Sequence, residues 1–127
     1  MVERVRRKDR VVLVAPQNED TMLLAGLFAT AGYALTTAFD ADAALAICAK
    51  ALPDAAIVDL DTPALEPLAL VQRLRSLAGG QALRLVAVTS RRAEVTSAQL
   101  VAAGVDIEVG RPATVTKLID ALSVGTR

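Results

Sequence analysis

The chain has 127 residues, and its fourteen basic and fourteen acidic side chains give a formal net charge of zero. One domain of this length buries about two-thirds of the surface that its unfolded chain exposes, so it needs no disulfide or metal to fold. A neutral chain has no long-range field to attract nucleic acid or an anionic membrane, and we expect neither partner. The absence of histidine excludes histidine-based catalytic triads and histidine metal ligands.

Cys48 is the single cysteine of the chain, so an internal disulfide cannot form. No apolar run is long enough to span a bilayer or to act as a signal peptide, and we expect a cytoplasmic protein. Cys48 lies at helical spacing from Leu45 and Leu52, and no base or cation pattern surrounds it. We therefore expect a small buried hydrophobe rather than a reactive thiol.

The two ends of the chain differ in composition from the part between them. Residues 1–10 carry five basic side chains against two acidic ones, which predicts a solvated, flexible leader, with a basic docking arm as the alternative. Residues 11–123 are predicted to form one domain without linkers or internal repeats, and residues 124–127 a short tail.

Apolar runs predict five strands, at residues 11–14, 33–39, 55–59, 83–88 and 105–109. Most of these runs lack polar–apolar alternation, which is typical of strands covered by helices on both faces. Helices are predicted after each strand: from the N-cap Asn18 to Gly32, from the cap Asp40 to about residue 52, from Pro63 to Gly79, over 91–103 and over 114–123. This alternation predicts a three-layer α/β fold with a parallel sheet and right-handed crossovers.

The first predicted helix carries Glu19 and Asp20 in its first turn, where acids face the positive end of the helix dipole. The turn before it contains no Gly-rich loop, so neither a dinucleotide fingerprint nor a P-loop is present. Its apolar positions keep a helical spacing: Met22, Leu23, Leu27 and Ala31.

Asp59 is the first charged residue after the apolar run 55–58, and it stands at the carboxyl end of the predicted third strand. In parallel α/β sheets this edge collects ligands and chemistry, because successive loops converge there over a rigid scaffold. Asp59 is therefore the central candidate for a functional residue.

Four short motifs lie in order on the predicted elements: Ile57-Val58-Asp59-Leu60 followed by Pro63, Thr89 after the fourth strand, Ala103-Gly104 with Asp106, and Arg111-Pro112. Over about residues 10–123 the chain resembles a response-regulator receiver domain of the CheY-like superfamily. The resemblance implies a flavodoxin-like fold with strand order 2-1-3-4-5. It also implies that Asp59 is the phosphoacceptor, that Thr89 and Arg111 hold the switch or phosphate-contact positions, and that the peptide bond at Pro112 is cis.

Ala15 and Pro16 follow the first strand, where receivers have two adjacent acids that hold magnesium together with the acceptor aspartate. Neither side chain can ligate a metal, and phosphoryl transfer to a carboxylate depends on that cation. Moving the metal site onto Glu19 and Asp20 would cost the N-cap of the helix. We therefore expect no cofactor, and magnesium belongs only to the alternative in which Asp59 is a working phosphoacceptor.

Three further positions depart from the receiver pattern. Arg111 replaces a lysine, and its planar guanidinium is suited to act as a permanent counter-ion of Asp59. Glu108 replaces the aromatic residue of the usual switch, so we expect no Thr–aromatic switch. Asp61 shares a side with Asp59 while the strand lasts, which makes the two a weak candidate for a new cation site; a solvated loop aspartate is the alternative.

The sequence thus predicts a receiver-like signal-transduction module of a two-component or phosphorelay system. We expect that it is not an enzyme and that it acts by protein–protein recognition, without standard magnesium-dependent phosphorylation. Its expected partner is a signalling protein, either a histidine kinase or an output protein. The resemblance also implies a surface for homodimerisation, formed by the fourth helix, the fifth strand and the fifth helix.

Two alternatives stay open. One is an ordinary response regulator in which a histidine kinase phosphorylates Asp59. The other is a small-molecule or nucleotide sensor that uses the cleft at the strand ends. A hydrolytic enzyme is disfavoured, because the only groups available are carboxylates and the hydroxyls of Thr89 and Ser90.

Overall fold

The computed structural model describes residues 9–89 and 94–123. The strands are β1 (Arg10–Val14), β2 (Ala34–Ala38), β3 (Ala55–Asp59), β4 (Arg84–Val88) and β5 (Ile107–Val109). The helices are α1 (Glu19–Thr30), α2 (Ala41–Lys50), α3 (Pro67–Ser76), α4 (Ser97–Ala103) and α5 (Val115–Ser123). None of the helices within the described ranges has the length and apolar character that a membrane crossing requires.

The five strands form one parallel sheet in the order β2-β1-β3-β4-β5, which confirms the predicted fold class. Their register aligns the strand ends. Val14 of β1 pairs with Ala38 and Val58, and Val88 of β4 pairs with Asp59 and Val109. The carboxyl ends of all five strands therefore meet at one edge of the sheet, where ligand sites of such folds form.

Helices cover both faces of the sheet. On one face Val12 and Val58 belong to a core shared with α2, α3 and α4, and on the other face Leu13 and Ile57 belong to a core shared with α1 and α5. Because side chains alternate along a strand, β1 and β3 each supply both cores. This explains why their sequences read as continuous apolar runs rather than as alternating ones.

The apolar residues singled out on α1 do not form its buried face. Phe28 faces the sheet instead: it is fully buried, and its ring packs edge-to-face on Tyr33 with centroids 5.4 Å apart. An aromatic ring buries more surface than any leucine of the helix, so it turns the helix toward the sheet. The four residues of the helical spacing are all exposed: Met22 (60%), Leu23 (65%), Leu27 (42%) and the C-cap residue Ala31.

α4 begins at Ser97, later than predicted, and the predicted start falls in residues 91–93, outside the described ranges. Thr96 is the N-cap. Its hydroxyl accepts a hydrogen bond from the Gln99 amide, and the Gln99 side chain accepts one from the Thr96 amide. This capping box determines where the helix starts. Val95 fits the helical spacing but packs against the core from the loop.

β5 begins at Ile107 rather than at residue 105, because the Val105 amide donates to the Leu100 carbonyl of α4 at 3.0 Å. The guanidinium of Arg75 donates to the Gly104 carbonyl at 2.7 and 3.1 Å and to the Asp106 carboxylate at 2.9 Å. That carboxylate also accepts a hydrogen bond from the Leu85 amide of β4 at 2.8 Å. The Asp106 amide still donates to the Leu85 carbonyl of β4 at 2.9 Å, so this side-chain network adds to the first backbone contact between the two segments.

α2 and α3 end at Lys50 and Ser76, a few residues before their predicted ends. After α3 the chain turns through Gly79, whose φ of +79° favours glycine. A Cβ on Gly80 would lie 2.3 Å from the Leu74 carbonyl oxygen, so only glycine allows this close approach.

Arg10 belongs to β1, which corrects its placement in the predicted leader. Its guanidinium donates to the carbonyls of Leu52 and Ala51 at 2.8 and 3.1 Å, just after the end of α2. A cation at the carbonyl end of a helix is favourable, so Arg10 is a structural residue of the domain. Residues 1–8 of the predicted leader and the predicted tail 124–127 lie outside the described residues.

Cys48 is a buried free thiol on α2, in agreement with the sequence prediction. Burial raises the pKa of the Cys48 thiol, and the positive charge of Arg10 offsets part of this effect. Because the thiolate is the reactive form, burial and a raised pKa both lower the reactivity of this thiol.

Candidate functional site

The carboxyl edge of the sheet brings the predicted site residues into one cleft. Ala15 follows β1, Asp59 ends β3, Thr89 follows β4, and Arg111 lies in the turn between β5 and α5. The register that aligns Asp59 with Val88 places the aspartate next to the end of β4. The sequence motifs therefore converge because the sheet is parallel and its strands end together.

Arg111 binds Asp59, the pairing suggested from the sequence. Its Nη2 donates to Asp59 Oδ1 and also lies 3.1 Å from Asp61 Oδ2, while its Nε donates to the Thr89 carbonyl at 3.0 Å. The side chains of Arg111, Asp59 and Asp61 are 23%, 17% and 25% exposed, so solvent is partly excluded from the contact. One guanidinium thus joins Asp59 at the end of β3 and Asp61 of the following loop to Thr89, the residue after β4.

Asp61 has a cationic contact that neither sequence interpretation of that residue included. Its Oδ2 lies 3.1 Å from Arg111 Nη2, and its side chain is 25% exposed. Its backbone amide donates to Asp59 Oδ1 at 2.9 Å. The buried Thr62 hydroxyl donates to the Asp59 carbonyl at 2.6 Å, and these bonds hold the turn that follows β3.

Thr89 lies beside this ion pair. Among the hydrogen bonds of the described residues, none joins the Thr89 hydroxyl to Asp59. The Thr89 hydroxyl approaches the Val109 carbonyl at 3.5 Å, and its amide donates to the same oxygen at 3.0 Å. Its carbonyl is the group that contacts Arg111. The Arg111–Pro112 peptide bond is cis.

The residues of the cleft do not fit a magnesium ion. Ala15 is 3% exposed and, like Pro16, has no side-chain oxygen, and Oδ1 of Asp59 is already bound to Arg111. Residues 9–89 and 94–123 contain no cluster of three or more histidine, cysteine or acidic side chains placed to hold a metal. Magnesium prefers octahedral oxygen ligands, and the donor set here is too small.

Glu19 and Asp20 are exposed in the first turn of α1, and local hydrogen bonds keep them there. The Asn18 side chain accepts a hydrogen bond from the Thr21 amide at 2.9 Å, and the Thr21 hydroxyl donates to the Pro16 carbonyl at 2.6 Å. Moving either acid into the position of a receiver's missing pair would break both bonds. The sequence argument that such a shift would cost the N-cap therefore has a structural basis.

No protein-family model and no curated protein matches the chain. Solved structures do. The receiver domain of a Pseudomonas aeruginosa sensor histidine kinase, solved with magnesium coordinated in its active-site cleft, has a TM-score of 0.79 at 18% identity, over 91% of this chain and 94% of that one. The chemotaxis response regulator CheY4 of Vibrio cholerae has a TM-score of 0.80 at 22% identity, over 91% and 96%. The chain has the receiver fold.

A third structure with the receiver fold is a response regulator from Burkholderia pseudomallei, solved with a phosphorylated aspartic acid, a calcium ion and citrate. Its TM-score is 0.82 at 24% identity, and the match covers 92% of this chain and 68% of that one. The fold is therefore shared although few residues are identical.

Glu108 of β5 connects the receiver fold's last strand to α4. The Glu108 carboxylate accepts a hydrogen bond from the Ser97 hydroxyl at 2.8 Å, and the Glu108 side chain is half-buried. A carboxylate held in this way occupies the position that the resemblance assigns to a rotating aromatic residue. The contact fixes the start of α4 relative to β5.

A groove of about 440 Å³ opens from the cleft between α1 and α5, and sequence reasoning did not anticipate it. Asp59 and Arg111 line one end, and Leu23 and Leu27 of α1 line the side. The exposed leucines at helical spacing were a signal of this surface. That signal is also typical of a buried helix face, so the sequence could not distinguish the two.

Proposed function

We propose that the chain is a receiver-type module of a two-component signalling pathway that works through protein–protein contacts, without magnesium-dependent phosphorylation. The observation that carries the proposal is the Arg111 guanidinium bound to Asp59 and Asp61, beside a first strand that is followed by Ala15 and Pro16. In this arrangement a cation of the protein itself is bound to the aspartate that stands at the position of the receiver nucleophile.

The chemistry of phosphoryl transfer supports this proposal. An incoming phosphoryl group carries negative charge toward a negative carboxylate, and a bound metal normally offsets that repulsion. Among the residues that the structure describes, Arg111 supplies one positive charge that Asp59 and Asp61 share, so these three side chains offer no excess positive charge to phosphoryl oxygens. Guanidinium also stays charged at any pH at which the protein folds, so the cation of this pair is always present.

The proposed partner is a signalling protein, either a histidine kinase or an output protein, that contacts the surface formed by α4, β5 and α5. Val101 of α4 is 62% exposed, which supplies apolar surface there. The Ser97–Glu108 hydrogen bond holds α4 in one position on β5. A surface fixed in this way suits constitutive recognition rather than recognition that depends on phosphorylation. Homodimerisation through the same surface is part of this proposal.

The experiment that tests the proposal is intact-mass spectrometry after incubation with a small acyl-phosphate donor and magnesium. We expect no added phosphoryl group on the natural chain, while an active receiver treated in parallel is labelled. A single added phosphoryl group that disappears in Asp59→Asn would overturn the proposal and favour an ordinary phosphoacceptor.

A gain-of-function variant sharpens the same test. Ala15→Asp with Pro16→Asp supplies the missing acids, and Arg111→Lys replaces the planar fork with a compact point charge. We expect the triple variant to bind magnesium and to be labelled at Asp59. Heteronuclear NMR spectra of the variant establish that it is folded. The control is Arg111→Lys alone, which lacks the acids and should stay unlabelled.

A further inference from the structure

The outer face of α1 carries an apolar patch with a glycine at its centre. Four large apolar side chains are exposed in the described part of the chain, and three of them lie on this one helix: Met22 (60%), Leu23 (65%) and Leu27 (42%). Gly26 lies between them at helical spacing, and the exposed Thr30 continues the row one turn later. We call these five residues the α1 patch. A contiguous exposed apolar patch is a mark of an interaction surface, whereas single exposed leucines are not.

Nothing within the described fold requires glycine at position 26. The backbone of Gly26 is helical, and its φ is not positive. A Cβ built on it would have no heavy atom within 4 Å, so packing in the described chain does not exclude alanine either. Glycine in a helix interior is destabilising relative to alanine, because it has more conformational freedom to lose on folding. What glycine offers in return is space for another backbone to approach the helix closely.

The α1 patch carries no charge, and this decides which occupant fits it. From Thr21 to Ala31 the sequence contains no acidic or basic residue. In a twofold interface the residues near the axis meet their own copies, so a charge there would repel itself, and an uncharged patch avoids this. Residues 1–8 and 90–93 of the same chain fit less well, because they include four and two basic side chains, respectively. Burying those charges against hydrocarbon would be costly.

We propose that α1 is a self-association surface, on which the α1 helices of two copies of the chain cross at Gly26 in antiparallel orientation. A second copy offers the same uncharged hydrocarbon and the same glycine. This orientation places Leu23 of one copy beside Leu27 and Thr30 of the other. It also keeps the two acidic first turns about 20 Å apart, because Glu19 lies about 10 Å along the helix from the crossing. At physiological salt that distance exceeds the range of charge repulsion, whereas a parallel crossing would bring the acids together.

The α1 patch is separate from the α4–β5–α5 surface of the proposed function. Self-association through α1 therefore leaves that surface available to a signalling partner. A helix of 12 residues offers less surface than the roughly 800 Å² per copy of a standard stable interface. We therefore expect a weak dimer whose population rises with concentration, with a dissociation constant in the micromolar range or above.

Analytical ultracentrifugation of the full chain, from micromolar to millimolar concentrations, tests the proposal. We expect a shift from monomer to dimer as the concentration rises. Leu23→Gln should weaken the dimer by at least about tenfold, because each copy loses one leucine from the contact. The matched control is Val101→Gln on α4, since Val101 is 62% exposed and Leu23 is 65% exposed. The control should leave the dissociation constant unchanged.

Gly26→Ala separates the proposed contact from the stability of the helix. Alanine has the higher helix propensity, so in dilute solution the variant should unfold at a higher temperature than the natural chain. In the dimer two added methyl groups would meet at the crossing, which should weaken association by about tenfold. Gly110→Ala is the matched control, because a Cβ on Gly110 also has no neighbour within 4 Å and Gly110 lies outside α1. It should not change the dissociation constant.

NMR of a sample that mixes labelled and unlabelled chains tests the orientation. We expect intermolecular NOEs from the Leu23 methyl groups of one copy to Leu27 and Thr30 of the other. Four outcomes would overturn the proposal: a monomer at all concentrations, a dimer that Gly26→Ala does not weaken, equal effects of Leu23→Gln and Val101→Gln, or no NOE between copies at α1. A dimer that Val101→Gln alone dissociates would place self-association on the α4–β5–α5 surface instead. The mass-spectrometric labelling of Asp59 tests the proposed function separately.

Discussion

The two helical layers that cover the sheet are packed to different degrees. On one face α3 lies between α2 and α4, and its residues Leu70, Val71 and Leu74 are at most 1% exposed. On the other face α1 and α5 leave a groove between them, and Leu23 and Leu27 stay exposed. Both layers have a buried core, and the open surface next to the site lies in the two-helix layer.

The difference follows from simple dimensions. Five strands spaced about 4.8 Å apart span about 19 Å. Helices pack about 8–10 Å apart, so the axes of three helices span about the width of such a sheet and the axes of two span about half of it. The groove between α1 and α5 runs beside the end of β3, where Asp59 lines it. A site for a ligand can form there without removing any side chain from the core of the other face.

Truncation of Leu74 should show the largest difference between the layers in the free energy of unfolding. Leu74→Ala removes a side chain that is 0% exposed and leaves a cavity, which should lower the free energy of unfolding by about 2–5 kcal/mol. Leu23→Ala on α1 should change it by less than about 0.5 kcal/mol, because Leu23 is already 65% exposed. Urea denaturation measures both. Equal effects would show that the two layers are equally packed.

Removal of Arg75 should have the next largest effect. Its guanidinium donates to the carbonyls of Gly80, Leu83 and Gly104 and to Asp106, and it is 14% exposed. Arg75→Ala leaves these acceptors unpaired and should cost about 2–3 kcal/mol in urea denaturation. The matched control is Arg73→Ala on the exposed side of the same helix. A comparable loss in the control would contradict the structural role assigned to Arg75.

Removal of Arg111 tests the site on the edge between the layers. Arg111→Met removes the cation that Asp59 and Asp61 share, and the two acids then repel each other. We expect a loss of about 1–2 kcal/mol and large shifts of the Asp61 and Thr89 amide resonances in NMR spectra. The control is Lys117→Met, which removes an exposed ammonium that donates to the Pro112 carbonyl. An unchanged Asp61 resonance would mean that the ion pair is not formed in solution.

Removal of an N-cap should cause the smallest loss of stability. The loss should be similar in the two layers. Asn18→Ala on α1 and Asp40→Ala on α2 each remove one side-chain acceptor for a backbone amide, and each should cost about 1 kcal/mol. Thermal unfolding of the two variants measures this. A much larger loss for Asn18→Ala would indicate that the cap also supports the Pro16 turn next to the site.

Local signals in the sequence determined much of the fold. Continuous apolar runs marked β1, β3 and β4, because strands buried on both faces need apolar residues at nearly every position. Asn18 and Asp40 marked two helix starts, since each cap bonds only to its own first turn. The position of Asp59 at the end of β3 and its pairing with Arg111 followed from the same elements and the receiver resemblance.

Tertiary structure decided the features that depend on distant neighbours. The rotation of α1 depends on how Phe28 packs against the sheet, so its exposed leucines could not be assigned from spacing alone. The partner of Asp61 lies on a turn 50 residues away in the chain, at Arg111. Helical spacing and chain order describe local geometry, whereas the groove and the shared cation arise only when separate elements pack together. Sequence therefore placed the site, and packing determined what surrounds it.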